Sequence, residues 1–338
     1  MRILITGGAG FIGINSAKRF IEEGQDVIIF DNLSRKGSED NINWLKKFGD
    51  FNLVKGDLRN FDQIKKCFLN NKIDVVLHLG AQVAVTKSVE NPREDFEINA
   101  LGTFNICEAV RRYQPESILL NSSTNKVYGK LEFVDVVEKE KRYEYKDLKF
   151  GISETTPLDF YSPYGCSKGC ADQYIRDYAR IYNLKTVNFR QSCIYGPRQF
   201  GVEDQGWVAW FTICSVLGKP VTIYGNGKQV RDVLFVDDLI ECYVKAIKNI
   251  EKIKGEIYNI GGGPTNTISI LELISLLEEF SGNKLKYSFS EWRPGDQKVF
   301  ICDIRKAKND LGWYPKINVR EGIKKLFDWV SENKELFR

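Results

Sequence analysis

The sequence predicts an α/β fold: a doubly wound parallel sheet with helices on both faces, followed by a smaller, discontinuous α/β region. Three observations carry this. A short apolar run, Ile3-Leu4-Ile5, passes through a glycine turn into a segment with Ala17, Phe20 and Ile21 at helical spacing. A second apolar run, Val27 to Phe30, ends in Asp31, eighteen residues after Gly13. Apolar strands then alternate with helical segments as far as Arg190, the pattern of a sheet buried on both sides.

Taken in order, the turn Thr6-Gly7-Gly8-Ala9-Gly10-Phe11-Ile12-Gly13 satisfies two spacings at once. Gly8, Gly10 and Gly13 give GxGxxG, and Gly7, Gly10 and Gly13 give GxxGxxG. Glycines are wanted here because a side chain would hold a pyrophosphate away from the backbone N–H groups and from the positive end of the following helix. Asp31 can accept both ribose hydroxyls of an adenosine and would repel a 2′-phosphate, so NAD is expected over NADP. Arg35 nearby argues the other way, and a turn that only packs helix on sheet is the competing account of the motif.

A polar stretch, 32–40, leads to a third strand, Phe51 to Val54, ending at Gly56-Asp57-Leu58, with Asp57 beside the adenine of a doubly wound sheet. Asp62 to Leu69 is a helix, and Asp74 to Leu79 is a fourth strand running into Gly80-Ala81-Gln82. Asn91-Pro92 with Glu94 marks a helix start, and that helix should reach about Tyr113. A fifth strand, Ser117 to Asn121, empties into Ser122-Ser123-Thr124-Asn125-Lys126. From Lys130 to Thr156 periodicity fades around Glu138-Lys139-Glu140-Lys141-Arg142, which reads as an insertion forming a solvated flap. Ser162-Pro163 opens a capped helix to about Tyr182, and Thr186 to Arg190 is a sixth strand. Helices are expected at 237–250, 268–280 and 320–332. The expected division is a Rossmann-type domain at 1–190, with its insertion at 130–156, and a substrate-binding region at 191–338 with segments returning to the sheet.

Composition excludes several classes of function. The chain has 338 residues, 43% of them hydrophobic, and a net charge of +4 with no basic run interleaved with aromatics, so no nucleic-acid partner is expected. Eight cysteines include no CxxC pair and His78 is the only histidine, so no metal site is expected. His78 closes the apolar run Val75-Val76-Leu77 and reads as a packed strand residue rather than a base. No window has the roughly 18 apolar residues of a membrane span, and no secretory leader precedes the turn; with reduced thiols, this suggests a cytoplasmic protein without a membrane partner.

Tyr164 and Lys168 are four apart on a helix, hence on one face, where the ammonium can stabilise a phenolate and lower a tyrosine pKa that starts near ~10. Tyr145/Lys149 and Tyr224/Lys228 share that spacing. Position separates them. Tyr145 falls in the charged insertion and Tyr224 precedes Gly225-Asn226-Gly227, whereas Tyr164 follows the fifth strand at the start of a helix, and ligands of such sheets lie at the carboxyl ends of the strands. Thr124, just past that strand, can bring a hydroxyl to the same place.

A glycine turn, a hydroxyl residue after the fifth strand and Tyr-x-x-x-Lys together resemble the extended short-chain dehydrogenase/reductase family, and the resemblance runs through Asn99-x-x-Gly102-Thr103 and Arg231-Asp232. It implies Thr124, Tyr164 and Lys168 as catalytic residues. It further implies NAD contacts from Gly7, Gly10, Phe11, Ile12, Gly13, Asp31, Asn32, Ser34, Arg35, Asp57, Leu58, Leu79, Ala81, Gln82, Asn99, Ser122 and Gln191, together with Tyr164 and Lys168. Relatives that eliminate water carry Thr-Asp-Glu where this chain has Thr124, Asn125 and Lys126, so the site looks equipped to oxidise and reduce but not to eliminate.

The runs 162–168, 189–199 and 203–211 are similar to a branch that inverts C2 of a CDP-linked 3,6-dideoxyhexose. That similarity implies a CDP-sugar partner, a homo-oligomer (dimer or tetramer) and a role in lipopolysaccharide O-antigen biosynthesis. Substrate contacts implied are Thr124, Cys193, Trp207, Thr222, Tyr224, Arg231 and Arg293. Cys193 replaces an asparagine common in the wider family, and surface salt bridges are the alternative for both arginines. A 4-epimerase of another nucleotide sugar and an NAD-binding redox sensor or scaffold are the competing functions.

Overall fold

The computed structural model describes residues 1–293 and 295–337; Pro294, inside the Trp292–Asp296 run, and Arg338 lie outside the described residues. The chain forms two compact units. The first contains Met1–Val127, Phe160–Arg190 and Ile240–Tyr258, and the second Tyr128–Asp159, Gln191–Leu239 and Asn259–Arg338.

Seven strands build the main sheet, in spatial order Ile257–Ile260, Lys185–Gln191, Ile118–Thr124, Val75–His78, Arg2–Thr6, Asp26–Asp31 and Asn52–Lys55. Parallel registers run from Ile118–Thr124 to Asn52–Lys55, with Ile5 beside Ile29 on one side and Leu77 on the other. The chain winds outward from the first strand to Asn52–Lys55, then crosses back to Val75–His78. The carboxyl ends of the strands at such a reversal are where sheets of this kind take ligands.

Apolar residues fill both faces. Ile3, Ile5, Val75 and Leu77 are fully buried on one side, while Leu4, Ile28, Val76 and Leu119 pack with Phe68, Ile106, Val110 and Ile175 on the other. This is why the strands read as continuous apolar runs. Asp172 on the helix Ser162–Tyr182 pairs with Arg190 at 2.8 Å, both buried, and Ser123 donates to the same carboxylate at 2.7 Å. The helix is thereby tied to two strands through a pair whose disruption would leave a buried charge unmatched.

Several elements depart from the sequence expectation. The helix begun by Asn91, whose side chain accepts from the Glu94 N–H at 3.2 Å, reaches Tyr113 only through a π-helical turn at Glu97–Leu101. The fifth strand extends to Thr124, so Thr124 ends the strand rather than following it. The polar stretch turns into a helix, Ser38–Leu45.

The second unit centres on Val230–Phe235, which pairs antiparallel with Thr267–Ser269 and parallel with Val299–Phe300 and Cys193–Tyr195. The segment expected to be a solvated flap is instead largely a packed hairpin. Val136–Glu138 pairs with Tyr143–Tyr145, and Val136, Tyr143 and Tyr145 pack on Val230 and Val299. The charged run 138–141 at the hairpin's turn stays at the surface, as does 146–150 beyond the second strand. Helices at Val236–Lys248, Ile270–Ser281 and Val319–Glu332 lie within two residues of their expected positions, the second opened by a capping box of Ser269 and Glu272. No described helix is long and apolar enough to cross a membrane, and no group of three or more His, Cys, Asp or Glu suited to a metal occurs among the described residues.

Candidate active site

The glycine turn sits at the end of the first strand. Gly7 has φ +66°, and a Cβ there would lie 2.6 Å from Gly80 Cα; one on Gly13 would lie 2.4 Å from the Gly7 carbonyl. Both glycines are demanded by packing. Gly10 differs, since its Cβ would meet only the Gly7 carbonyl, at 3.2 Å, so the backbone at Gly10 can be approached closely. The helix Phe11–Glu22 starts from Gly10 with no side-chain cap. Its first N–H groups, those of Phe11, Ile12 and Gly13, form the positive helix end that suits a phosphate.

Asp31 ends the second strand and braces the turn, accepting from the Ala9 N–H at 3.0 Å and the Leu33 N–H at 2.8 Å. Burial pushes its pKa up, against the backbone donors and Arg35. Asn32 donates to Asp57 at 3.2 Å and accepts from the Ser34 N–H at 3.1 Å, while Arg59 draws the Asp57 carboxyl down to about 2. Leu58 fills the space beside Gly80 and Gly102, and the Leu79 N–H bonds the Thr6 carbonyl at 3.1 Å. Ala81 and Gln82 follow on the loop, and Asn99 clasps Gln82 by accepting its N–H at 2.9 Å and donating to its carbonyl at 3.0 Å.

Thr124, Tyr164 and Lys168 come together in the first unit, all buried. Thr124 Oγ1 accepts from the Lys126 N–H at 3.3 Å, and Lys168 Nζ donates to the Ser122 carbonyl at 2.6 Å. The helix carrying them begins at Ser162 itself, in the left-handed region at φ +74°, with its Oγ accepting from the Gly165 N–H at 3.2 Å. Ser162 thus supplies the side-chain cap from the helix's first position, and Tyr161 before it makes no side-chain capping bond. The Tyr164 N–H donates to Ser88 Oγ at 3.1 Å.

The electrostatics correct one expectation. Burial drives Tyr164 up to about 12, with Asp95 adding to the rise and Thr124 and Arg35 opposing it. Burial also brings Lys168 down to about 8, against Asp172 and Asp95. In the protein alone, therefore, desolvation of the phenolate outweighs any help from Lys168. His78 is buried between Thr6 Oγ1 at 2.7 Å and Thr103 Oγ1 at 3.0 Å, and burial followed by Lys168 brings it down to about 3. It is a neutral packed residue, as its strand position implies.

The rival tyrosine–lysine pairs do not assemble. The Tyr145 hydroxyl donates to the Val299 carbonyl at 3.2 Å, and that of Tyr224 to Glu203 at 3.2 Å; Lys228 pairs with Glu138 at 2.6 Å.

In the second unit Trp207 Nε1 donates to Cys193 Sγ at 3.5 Å, bringing two expected substrate residues together. Tyr224 lies beneath Arg293, whose guanidinium is 3.9 Å from the ring centre, and Thr222 shares its strand, Val221–Tyr224. Arg293 also pairs with Asp204 at 2.9 Å, and Arg231 with Asp296 at 2.5 Å. Each arginine thus has a carboxylate partner; the Arg293 pair is part-exposed, near the surface bridge the sequence left open, whereas Arg231 is buried. Gln191 is buried at the end of the sixth strand.

Sequence reasoning missed Asp95, which is 1% exposed and accepts from Gln82 Nε2 at 2.7 Å, Asn99 Nδ2 at 3.0 Å and Ser167 Oγ. A signal existed: positions 95, 99, 103 and 106 fall on the buried helical face, so Asp95 is an acid at a core position.

Residues 4–326 match the model of a family described as GDP-mannose 4,6 dehydratase. The chain is similar to CDP-paratose 2-epimerase of Salmonella typhi, 49% identical over 98% of this chain and 99% of that protein. Among solved structures it resembles UDP-glucose 4-epimerase of Thermotoga maritima with UDP-glucose, at TM-score 0.86 and 32% identity over 99% and 100% of the two chains. The Thermus thermophilus UDP-glucose 4-epimerase complex with NAD matches at TM-score 0.81 and 31% identity over 97% and 98%.

Proposed function

The chain belongs to the GDP-mannose 4,6-dehydratase family, and from that premise we propose that it is an NAD-dependent epimerase inverting C2 of a CDP-linked 3,6-dideoxyhexose, CDP-paratose to CDP-tyvelose. The observation that carries this is the meeting of Thr124, Tyr164 and Lys168 in a buried site whose next two residues, Asn125 and Lys126, are not acids. Elimination needs an acid and a base beyond the redox step. The nearby buried acid, Asp95, is already taken up by three donors.

The glycine turn fits a dinucleotide, since Gly10 leaves its backbone open at an uncapped helix start and Asp31 ends the neighbouring strand. Gly7, Gly10, Phe11, Ile12 and Gly13 would hold the pyrophosphate; Asp31, Asn32, Ser34 and Arg35 the adenosine ribose; Asp57 and Leu58 the adenine. Leu79, Ala81, Gln82, Asn99, Ser122 and Gln191 would line the nicotinamide half. Bound there, NAD supplies a hydride acceptor, the returning hydride and a cationic ring. Tyr164 takes the proton of the C2 hydroxyl and later returns it, Lys168 stabilises the phenolate, and Thr124 hydrogen-bonds the developing carbonyl oxygen. Inversion requires the sugar to turn while the nucleotide stays. Arg231 and Arg293 are the cations assigned to the diphosphate, each exchanging some of its carboxylate pairing for phosphate, with Trp207, Thr222, Tyr224 and Cys193 beside the nucleoside.

The same proposal includes a cytoplasmic homo-oligomer acting in lipopolysaccharide O-antigen biosynthesis. Eight free cysteines suit a reducing compartment, and exposed Phe96, Tyr174, Ile181 and Tyr182 suit burial against a second copy. The test is to incubate purified protein, without added cofactor, with CDP-, UDP-, GDP- and dTDP-sugars and follow epimerisation by NMR. Interconversion of CDP-paratose and CDP-tyvelose supports the proposal. Inversion at C4 of a UDP-sugar alone would replace it with a 4-epimerase, and bound NAD with no turnover would indicate a sensor or scaffold.

A further inference from the structure

The buried carboxylate of Asp95 has no part in the chemistry assigned so far. It lies on Pro92–Phe96, immediately before the π-helical turn, and its hydrogen-bond partners come from three directions: Gln82 on the loop after the fourth strand, Asn99 on the π turn and Ser167 on the catalytic helix. All three are donors, so they satisfy lone pairs of the buried carboxylate. A buried anion is costly unless it balances a cation. Ser167 lies between Tyr164 and Lys168 in sequence, with its Oγ 3.2 Å from the Tyr164 carbonyl, so the carboxylate is attached to the helical turn that carries the reactive pair.

We propose that Asp95 is a positioning residue of the proposed epimerase reaction: through Ser167, Gln82 and Asn99 it sets the catalytic turn, and its charge holds Lys168 as the ammonium while keeping the proton on Tyr164 until substrate is bound. This rests on Tyr164 as the base. The field of Asp95 acts on both groups in the same sense, favouring the protonated form of each. The other titratable or charged groups facing the pair are Arg35, Asp172 on the catalytic helix and His78, neutral, on the fourth strand. Lys87, Glu90, Arg93 and Glu94 on the adjoining helices are exposed, and Glu97 pairs with Arg93 at 2.8 Å, so solvent screens them.

If turnover needs Tyr164 ionised and Lys168 charged, the two limbs of the kcat–pH profile report this pair together. Asp95→Asn, nearly isosteric, should move both limbs to lower pH by about one unit. Asp95→Ser, which removes the charge with a smaller polar side chain, should move both limbs the same way and gives an independent reading if Asp95→Asn does not fold. Ser167→Ala keeps the charge and should lower kcat without moving either limb. Limbs that stay in place in Asp95→Asn, or in Asp95→Ser, would overturn the proposal and leave Asp95 a structural bracket. If the unaltered protein shows no epimerisation, or Tyr164→Phe turns over normally, the functional reading fails rather than the role of Asp95.

Discussion

Tyr164/Lys168 and Tyr224/Lys228 have the same spacing and opposite settings. On the helix Ser162–Tyr182, four residues return the chain to one face, and both side chains are buried beside Thr124 and Asp95. Tyr224 ends the strand Val221–Tyr224, and Lys228 lies beyond the turn at Gly225–Gly227, where the ammonium pairs with Glu138 and the phenol with Glu203. A four-residue interval therefore carries chemistry only where backbone geometry turns it into proximity and burial removes competing water.

The largest effect that would sharpen this contrast is on stability. Asp172→Asn breaks the buried ion pair with Arg190 that ties the catalytic helix to the sheet and should cost about 3–5 kcal/mol in urea unfolding. Lys228→Ala breaks a half-exposed pair and should cost less than about 1 kcal/mol. Comparable losses would mean that the buried pair does not anchor the helix.

Turnover should separate the tyrosines next. Tyr164→Phe is expected to lower kcat on the order of 10²-fold or more with nucleotide affinity retained, while Tyr145→Phe and Tyr224→Phe keep their chemistry, the latter with a raised KM. Steady-state kinetics on the three variants decides, and an active Tyr164→Phe would break the comparison.

Much of this was legible because strong local signals agreed with the fold. The glycine turn, Asp31 at the end of the second strand and the alternation of apolar runs with helices each survive in the structure, since a sheet buried on both faces leaves its strands little else to be. The π turn at Glu97–Leu101 was not legible, because it depends on Asn99 reaching Gln82 from another segment. Nor was the hairpin at 136–145, whose packing partners Val230 and Val299 lie far along the chain. The Tyr164 environment failed for a related reason: spacing locates Lys168, but burial and Asp95 come from tertiary structure.

The cofactor end offers a smaller effect. Asp31→Ala should weaken NAD about tenfold and NADP less, because the carboxylate favours ribose hydroxyls and opposes a phosphate. Titration of apoprotein with both cofactors measures it, and equal losses would remove Asp31 from the selection.

His78 gives the smallest. With its pKa lowered from 6.5 to about 3 by burial, the folded protein binds fewer protons than the unfolded chain between those values. Stability present above pH 6.5 is therefore lost as pH falls toward 3, by about 1 kcal/mol between pH 6 and 5. In His78→Asn the unfolding free energy should decline less over that interval, and an unchanged slope would exclude His78 as its source.

The central claim is that Tyr164, Thr124 and NAD invert C2 by moving a hydride off the carbon and back. That hydrogen never exchanges with water. CDP-paratose carrying deuterium at C2 should give CDP-tyvelose still labelled there, and turnover of unlabelled substrate in D2O should introduce none. Substantial solvent deuterium at C2 would mean that a proton, not a hydride, leaves carbon, and would contradict the account.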